Sequence, residues 1–536
     1  MNRNEFRENV KEHVKEHGKK AKEKGIVLFA RLLFGRTMVT ILLLLLQIIT
    51  LVVAFKWFQS YTDWFYYMMV TLSAAFVICI VNSKENPAFK LSWMLPLCAF
   101  PVFGAALFLF VWINPGNIGL QQKLRRRIEE TKGLLNTNRR VREKLNKESP
   151  ELKGISHYIE TMNGFPTYDS TKAEYFPLGE EKYKDLLAEL KKAEKFIFLE
   201  YFIIGRGIMW DSILDILKEK AKEGVEVRVM YDGMCALVNL PYHYPEKLAR
   251  YGIKAKAFSP IKPLLSTRQN NRDHRKIFII DGKTAYTGGI NLADEYINEK
   301  VRYGHWKDAS IRLQGDGVRS FTVMFLQMWN LDENGREDYR KYVFADCEPK
   351  SEEGNGYVIP YNDDPTNRLD IAKNVYLDIL NKAENYVYIM TPYLILDNET
   401  VVALTFAAGR GVDVKILMPH VPDKKIVFYI ARTYYTQLLE AGVKIYEYVP
   451  GFLHSKVWVS DDVKAVVGSI NLDYRSLYEH FECAVYLYKN NEVEHIKQDF
   501  METLDKCLEI TIGDYKRFPL ITRVIGRVFR LIGPLM

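Results

Sequence analysis

Two stretches of this chain carry the same chemically loaded pattern. The first reads His-Arg-Lys-Ile-Phe-Ile-Ile-Asp from His274 to Asp281, and the second reads His-Ser-Lys-Val-Trp-Val-Ser-Asp from His454 to Asp461. In each copy the His and Lys are two apart, and an acid follows five residues after the Lys. Seven to ten residues further on comes a small pair with an Asn, Gly288-Gly289 with Asn291 in one copy and Gly468-Ser469 with Asn471 in the other. Residues two apart in an extended strand point to the same face. His274 and Lys276 therefore share one cavity, as do His454 and Lys456. A lone histidine is usually structural, but one pattern of types and spacings repeated at two places is a poor candidate for coincidence.

The chemistry available to such a set is phosphoryl transfer. One imidazole can attack phosphorus and form a covalent phospho-enzyme, and a second can protonate the leaving alkoxide and then deprotonate the incoming hydroxyl. The charge on the non-bridging oxygens needs fixed donors, and Lys276, Lys456, Asn291 and Asn471 are of the right type. The arrangement calls for no metal and no cofactor. Each imidazole also needs a partner on its other ring nitrogen. Asp308 and Glu482, each opening an apolar strand downstream of its motif, are the expected partners. Asp281 and Asp461 are kept in the catalytic set, although each precedes a turn that it could equally cap. Ser469 has no counterpart hydroxyl in the first copy, where Gly289 stands, so a hydroxyl contact to phosphate or to the histidine network is available from one side only.

The elements that must position these residues are also duplicated. Lys-Ala-Glu-Lys-Phe-Ile-Phe-Leu from Lys192 is answered by Lys-Ala-Glu-Asn-Tyr-Val-Tyr-Ile from Lys382, each a helix end running into a buried strand. A helix and then Gly224-Val or Gly411-Val lead into a second strand, and Gly252 and Gly442 open a third. Strands alternating with helices predict α/β units with mixed, largely parallel sheets flanked by helices. Two such halves, 166–347 and 348–513, related by a pseudo-twofold and joined around 348–356, would bring the two His-Lys strands together.

Before the repeat the chain reads as membrane protein. Residues 1–36 are basic and charged. Region 37–112 holds apolar runs at 37–58, 64–81 and 91–112, the last broken by Pro96 and Pro101. Each run is near bilayer-crossing length, and aromatic residues cluster at their ends. Residues 113–165 read as a basic linker whose natural counter-charge is anionic lipid. Residues 514–536 read as an amphipathic basic tail, suited to the lipid interface. Lys and Arg flank the apolar block on both sides, which places both ends in the cytoplasm, whereas three runs give an odd number of crossings. The expectation is two true crossings, with the proline-broken third run re-entrant or interfacial, and a cytoplasmic catalytic region in a multi-pass protein of the cell membrane. A net charge of +8 over 536 residues, 48% of them hydrophobic, fits large cores and an anionic membrane surface as partner. The six scattered cysteines suggest neither a disulfide framework nor structural zinc.

The doubled His-x-Lys-x4-Asp with Gly-Ser/Gly-x-Asn resembles the signature of the phospholipase D superfamily. Arg272-Asp-His-Arg-Lys, Gly451-Phe-Leu-His-Ser-Lys, Arg475-Ser before Phe481-Glu482 and the terminal Arg530-Leu-Ile-Gly-Pro-Leu are similar to bacterial cardiolipin synthases, and the resemblance runs from about residue 64 to the end. It implies two phospholipase D-type α/β halves behind N-terminal transmembrane helices. The implied activity moves a phosphatidyl group from one phosphatidylglycerol to another, giving cardiolipin and glycerol, with His274 as nucleophile and His454 as general acid/base. Phosphatidylglycerol and the bilayer are the implied partners. Nucleic acid is not, because the apolar block contradicts the expected basic groove without anchors. Other phospholipase D-type transferases or hydrolases share the same site. A non-catalytic lipid-binding scaffold would predict loss of a motif His or Lys, and all four are present.

Overall fold

The computed structural model describes residues 63–112, 116–260, 271–335, 337–345, 356–367 and 369–535, with five single positions between 45 and 56. The charged segment 1–36, the run 37–58 and most of the join 348–356 lie outside the described residues.

The first half contains β1 (Thr171–Phe176), β2 (Phe196–Tyr201), β3 (Glu226–Asp232), β4 (Lys254–Phe258), β5 (Arg272–Asp273), β6 (Lys276–Ile280), β7 (Thr284–Gly288), β8 (His305–Lys307) and β9 (Ser310–Gly315). The second contains β10 (Tyr357–Asp363), β11 (Tyr386–Met390), β12 (Asp413–Pro419), β13 (Lys444–Tyr448), β14 (Gly451–Leu453), β15 (Val457–Ser460), β16 (Lys464–Gly468), β17 (His480–Tyr488) and β18 (Cys507–Ile510). One sheet runs β1-β9-β7-β6-β2-β3-β4, and the other runs β10-β17-β16-β15-β11-β12-β13-β18. Over seven strands the orders match strand for strand, with β6 and β15 in equivalent places, and β18 is added beside β13 in the second. The central strands β2, β6, β11 and β15 are buried along their whole length, as their continuous runs of Ile, Phe, Val, Tyr and Trp require.

The sheets are mixed, but they are not largely parallel. Parallel pairing within them is confined to β2-β3-β4 and β11-β12-β13. All other neighbours in the two sheets run antiparallel. The strand-helix-strand units produce the parallel part. After each His-Lys strand the chain turns back at once through Asp281-Gly282 or Asp461-Asp462, and a tight turn yields an antiparallel neighbour. Asp281, Asp461 and Asp462 all have positive φ, a region that Asp tolerates better than most residues.

The two halves are stitched together by two short parallel ladders, one the image of the other. β5 pairs with β17, placing His480 opposite Arg272 and Phe481 opposite Asp273. β14 pairs with β8, placing Phe452 opposite Trp306 and Leu453 opposite Lys307. In each ladder the strand leading into a motif histidine lies beside the strand leading into an acid of the other half.

Two corrections concern the flanks. Within the expected linker 113–165, the described residues from 116 on do not behave as a linker. Helices Gly116–Thr131, Arg139–Glu148 and Pro150–Asn163 bury Leu120, Leu124, Leu145, Leu152 and Ile159 in the core they share with the second half. Arg127 is buried against Glu130 and the carbonyl of Glu333, and Arg142 pairs with Glu160, so these charges find partners inside the protein. The run 91–112 is two helices, α2 (Pro87–Ala99) and α3 (Pro101–Trp112). Among the described residues, only α1 (Asp63–Val81) is long and apolar enough to cross a membrane, so several transmembrane helices are not seen there. The tail helix α4 (Leu520–Arg530) docks through Gly526 against the carbonyl of Tyr429 and through Arg530 over the Tyr434 ring. It leaves Leu520, Ile521, Val524 and Val528 exposed.

Candidate active site

His274 and His454 follow directly on β5 and β14, and the cross-half ladders set their backbones. The amide of His274 donates to the carbonyl of Phe481 at 2.9 Å, and the amide of His454 donates to the carbonyl of Lys307 at 2.7 Å. One residue beyond each acceptor comes the acid. Nδ1 of His274 lies 2.8 and 3.0 Å from the two carboxylate oxygens of Glu482, and Nδ1 of His454 lies 2.6 Å from Oδ2 of Asp308. Both acids are fully buried. With Nδ1 engaged by a carboxylate, the tautomer that bears its proton on Nδ1 is favoured and Nε2 keeps its lone pair.

The second acid is itself held. Ser469 and Ser476 both donate hydroxyl hydrogens to Glu482, so the Ser469 hydroxyl belongs to the histidine network. Where Gly289 stands in the first copy, an added Cβ would come within 2.1 Å of Oδ1 of Asp308. The missing hydroxyl is thus a space requirement: the Asp308 carboxylate fills the volume that a side chain at 289 would need. Asn291 accepts from the amide of Ile203 and donates to the Tyr296 hydroxyl, while Asn471 donates to Ser476 and keeps a buried Oδ1 with no partner.

Lys276 and Lys456 are nearly inaccessible, and each donates to the carbonyl of its own motif histidine. Burial lowers the Lys276 ammonium to about 8 and that of Lys456 to about 7, against the pull of Glu482 and Asp308. Burial, and then the lysines, also hold both histidines toward the neutral form: His454 falls to about 4, and His274 lies well below its usual range. The two buried carboxylates thus offset the two buried lysines around the histidine pair.

Asp281 and Asp461 are elsewhere. Each sits at the far end of its strand, about 16 Å along the backbone from the motif lysine at ~3.3 Å per residue. Asp281 accepts from the amides of Glu194, Lys195 and Phe196 at 2.7 to 2.8 Å, and Asp461 accepts from those of Glu384, Asn385 and Tyr386 at 2.9 Å. These carboxylates cap the entry into β2 and β11 and touch none of the histidines. Their role is structural, as the alternative expected, but the backbone they cap is the entry to the neighbouring strand and not the turn that each precedes.

One residue at the site was missed from sequence. The His480 ring centroid lies 5.5 Å from that of His274, and its Nδ1 is 3.7 Å from Oε1 of Glu482. Neither ring nitrogen has a hydrogen-bond partner, and burial holds the ring neutral, with its pKa at about 3. Its counterpart across the pseudo-twofold is Trp306, 5.4 Å from His454. The signal was available: each stands two residues before the acid on the same strand, and so faces the same way.

A family profile described as "Cardiolipin synthase, PLD-like domain" matches residues 186–305 and 376–504, one match in each half. The chain is 48% identical over 460 residues to an uncharacterized protein of Streptococcus mutans, covering 86% of this chain and 99% of that protein. It is 34% identical over 474 residues to a cardiolipin synthase of Alkalihalophilus pseudofirmus, covering 88% and 93%. It is also 34% identical over 478 residues to cardiolipin synthase 2 of Bacillus anthracis, covering 87% and 90%. Among solved structures, the phosphatidylserine synthase of Haemophilus influenzae shares the fold, with a TM-score of 0.54 at 14% identity over 72% of this chain and all of that one. Matched over most of its length to full-length relatives and carrying the doubled site, the chain belongs to the cardiolipin synthase family, phosphatidyltransferases of the phospholipase D type.

Proposed function

We propose that this protein is a membrane-bound cardiolipin synthase that works through a covalent phosphohistidine. Nε2 of His274 attacks the phosphorus of one phosphatidylglycerol. The bond to the glycerol oxygen breaks, and glycerol leaves with the Nε2 proton of His454, which enters this step as the imidazolium that the bound phosphodiester and Asp308 stabilise. Neutral His454 then takes the proton of the free glycerol hydroxyl of a second phosphatidylglycerol, whose oxygen displaces His274 and gives cardiolipin. Lys276, Lys456, Asn291 and Asn471 are the groups of suitable type to meet the non-bridging oxygens, while Glu482 and Asp308 stabilise the imidazolium that each histidine becomes in turn. Every proton and bond in this scheme is handled by side chains.

The observation that carries the reading is the pair of imidazoles with Nδ1 held by buried carboxylates, beside two buried lysines. We also place the protein in the cell membrane with its catalytic halves on the cytoplasmic side. Support comes from α1 and from the Lys- and Arg-rich segments at both flanks of the apolar block. The test is incubation of the purified protein in vesicles with phosphatidylglycerol, alone and with phosphatidylethanolamine or water competing. Cardiolipin and glycerol in equal amounts are expected. Phosphatidic acid as the main product would make the protein a hydrolase, and consumption of phosphatidylethanolamine would change the donor.

A further inference from the structure

The apolar helices before the catalytic halves give the proline-broken run a definite path. α1 has 19 residues, about 28 Å at ~1.5 Å per residue, which matches a hydrocarbon core of roughly 30 Å. α2 and α3 have 13 and 12 residues, about 20 and 18 Å each, too short to cross singly. They do not add up to one crossing either. At Phe100, whose φ of −136° and ψ of 71° are not helical, the chain folds back on itself. A Cβ on Gly104 would lie 2.5 Å from the carbonyl oxygen of Pro96, and the rings of Trp93 and Phe108 are 5.5 Å apart. Positions 96 with 104, and 93 with 108, make an antiparallel register.

Both legs of this hairpin begin at the catalytic halves. At the base of α2, Asn86 donates to the Tyr478 hydroxyl at 2.9 Å and Phe89 meets the edges of Tyr474 and Tyr478. Beyond α3, Gln121 donates to the carbonyl of Thr366, and Leu120 and Leu124 enter the shared core. The tip is apolar and uncovered, with Phe100 66% exposed. Its depth can be read against α1. Ser73, one residue past the middle of α1, donates its hydroxyl to the carbonyl of Leu97, three residues short of the tip. A helix that crosses a bilayer has its middle at the midplane, so the tip reaches about that far.

We propose that α2 and α3 form a re-entrant hairpin that enters one leaflet, turns at Phe100 near the midplane and returns to the side of the catalytic halves, leaving α1 as the crossing among the described helices. The partner of this surface is a single lipid leaflet. The exposed stripe Leu520, Ile521, Val524 and Val528 of α4 belongs to the same seat. The hydroxyl of Ser92 on α2 donates to the carbonyl of Leu531 immediately after α4, which ties the two together at the hairpin base. A cavity of about 890 Å³ opens beside this base, lined by Asn86, Trp93, Asn271 and Glu479 among others. Asn271 and Glu479 are close in sequence to His274 and His480. This placement is independent of which phospholipid is the substrate.

Single cysteines at positions 62, 82 and 100 in full-length protein freed of its native cysteines test this. Cells or vesicles carrying each variant are treated with a membrane-impermeant maleimide from one side and then from the other. Thr62→Cys and Asn82→Cys should react from opposite sides, and Phe100→Cys from neither until detergent is added. Phe100→Cys reacting together with Thr62→Cys would mean that the hairpin crosses. Phe100→Cys reacting together with Asn82→Cys would mean that it stays out of the bilayer. Either result overturns the proposal. Because Phe100 is exposed, its substitution leaves packing intact. As a second readout, a fluorophore at position 100 should be quenched more strongly by lipids with a mid-chain nitroxide than by lipids with a headgroup nitroxide, and the reverse order would also overturn the proposal.

Discussion

Glu482 of the second half holds the imidazole of His274 in the first, with Nδ1 2.8 Å from its nearer carboxylate oxygen. Asp308 returns the relation to His454 at 2.6 Å. Each histidine therefore takes its orienting acid from the opposite half, and neither half contains a complete site. The cause is topological. The β5-β17 and β14-β8 ladders run parallel across the boundary, so a histidine one residue past one strand meets the acid that the facing strand carries, Glu482, or leads into, Asp308.

Glu482→Gln tests this pairing. An amide keeps the shape but does not stabilise an imidazolium, so kcat should fall about 10²- to 10⁴-fold, the range that a general acid/base and its orienting group supply. The melting temperature should change little, because the amide oxygen still accepts from one of the two serine hydroxyls and the other hydroxyl can turn to accept from the amide NH2. Retention of kcat within a few-fold would show that the acid is dispensable.

Asp281→Ala should have the opposite profile. Three amides at the start of β2 lose their acceptor, and leaving such donors unpaired costs about 1–3 kcal/mol each when they stay buried. We expect a loss of roughly 2–4 kcal/mol overall, since water can reach part of this turn. The turnover of the remaining folded protein, measured after active-site titration, should stay within a few-fold of wild type. A large fall in kcat at unchanged stability would return Asp281 to the catalytic set.

The contrast between these two acids shows what the sequence could and could not reveal. The histidines, lysines and asparagines, and the acids Asp308 and Glu482, were legible because duplicated spacing and strand alternation are local properties. Which acid serves which histidine was not, because crossing the boundary between halves depends on tertiary ladders only two or three residues long. The tight turn after each His-Lys strand was visible in Asp281-Gly282, yet its consequence, an antiparallel neighbour, was outweighed by the alternation of strands and helices. The apolar run at 91–112 gave length and prolines but not direction, and a fold-back at Phe100 is set by contacts such as Gly104 on Pro96.

Gly289→Ala addresses the asymmetry between the motif copies. The methyl group would collide with the Asp308 carboxylate, which must move away from His454. Activity should fall at least as far as in Asp308→Asn, whereas Ser469→Ala, which removes one of two hydroxyl donors to Glu482, should cost only about 1 kcal/mol or a few-fold to tenfold. Equal activity of Gly289→Ala and wild type would show that Asp308 is not held where it is seen.

Buried Lys456 makes stability depend on pH. Its folded pKa of about 7 lies below the ordinary lysine value, so between pH 7 and 10 the unfolded chain binds more protons than the folded one. Stability contributed by this group therefore rises with pH across that window, by up to about 1.4 kcal/mol per unit. Thermal melts of wild type and Lys456→Met should show the wild type gaining on the variant from pH 7 to 9.5. A constant difference would mean that Lys456 is not a cation forced into the interior.

The central claim is that His274 carries the phosphatidyl group while His454 moves protons. The direct measurement is trapping with radiolabelled phosphatidylglycerol, followed by denaturation at alkaline pH and peptide mapping. His454→Asn should accumulate an acid-labile label on the peptide containing His274, and His274→Asn should accumulate none. Label on His454 in the His274→Asn protein would reverse the roles, and synthesis of cardiolipin by either variant at wild-type rate would contradict the two-histidine site.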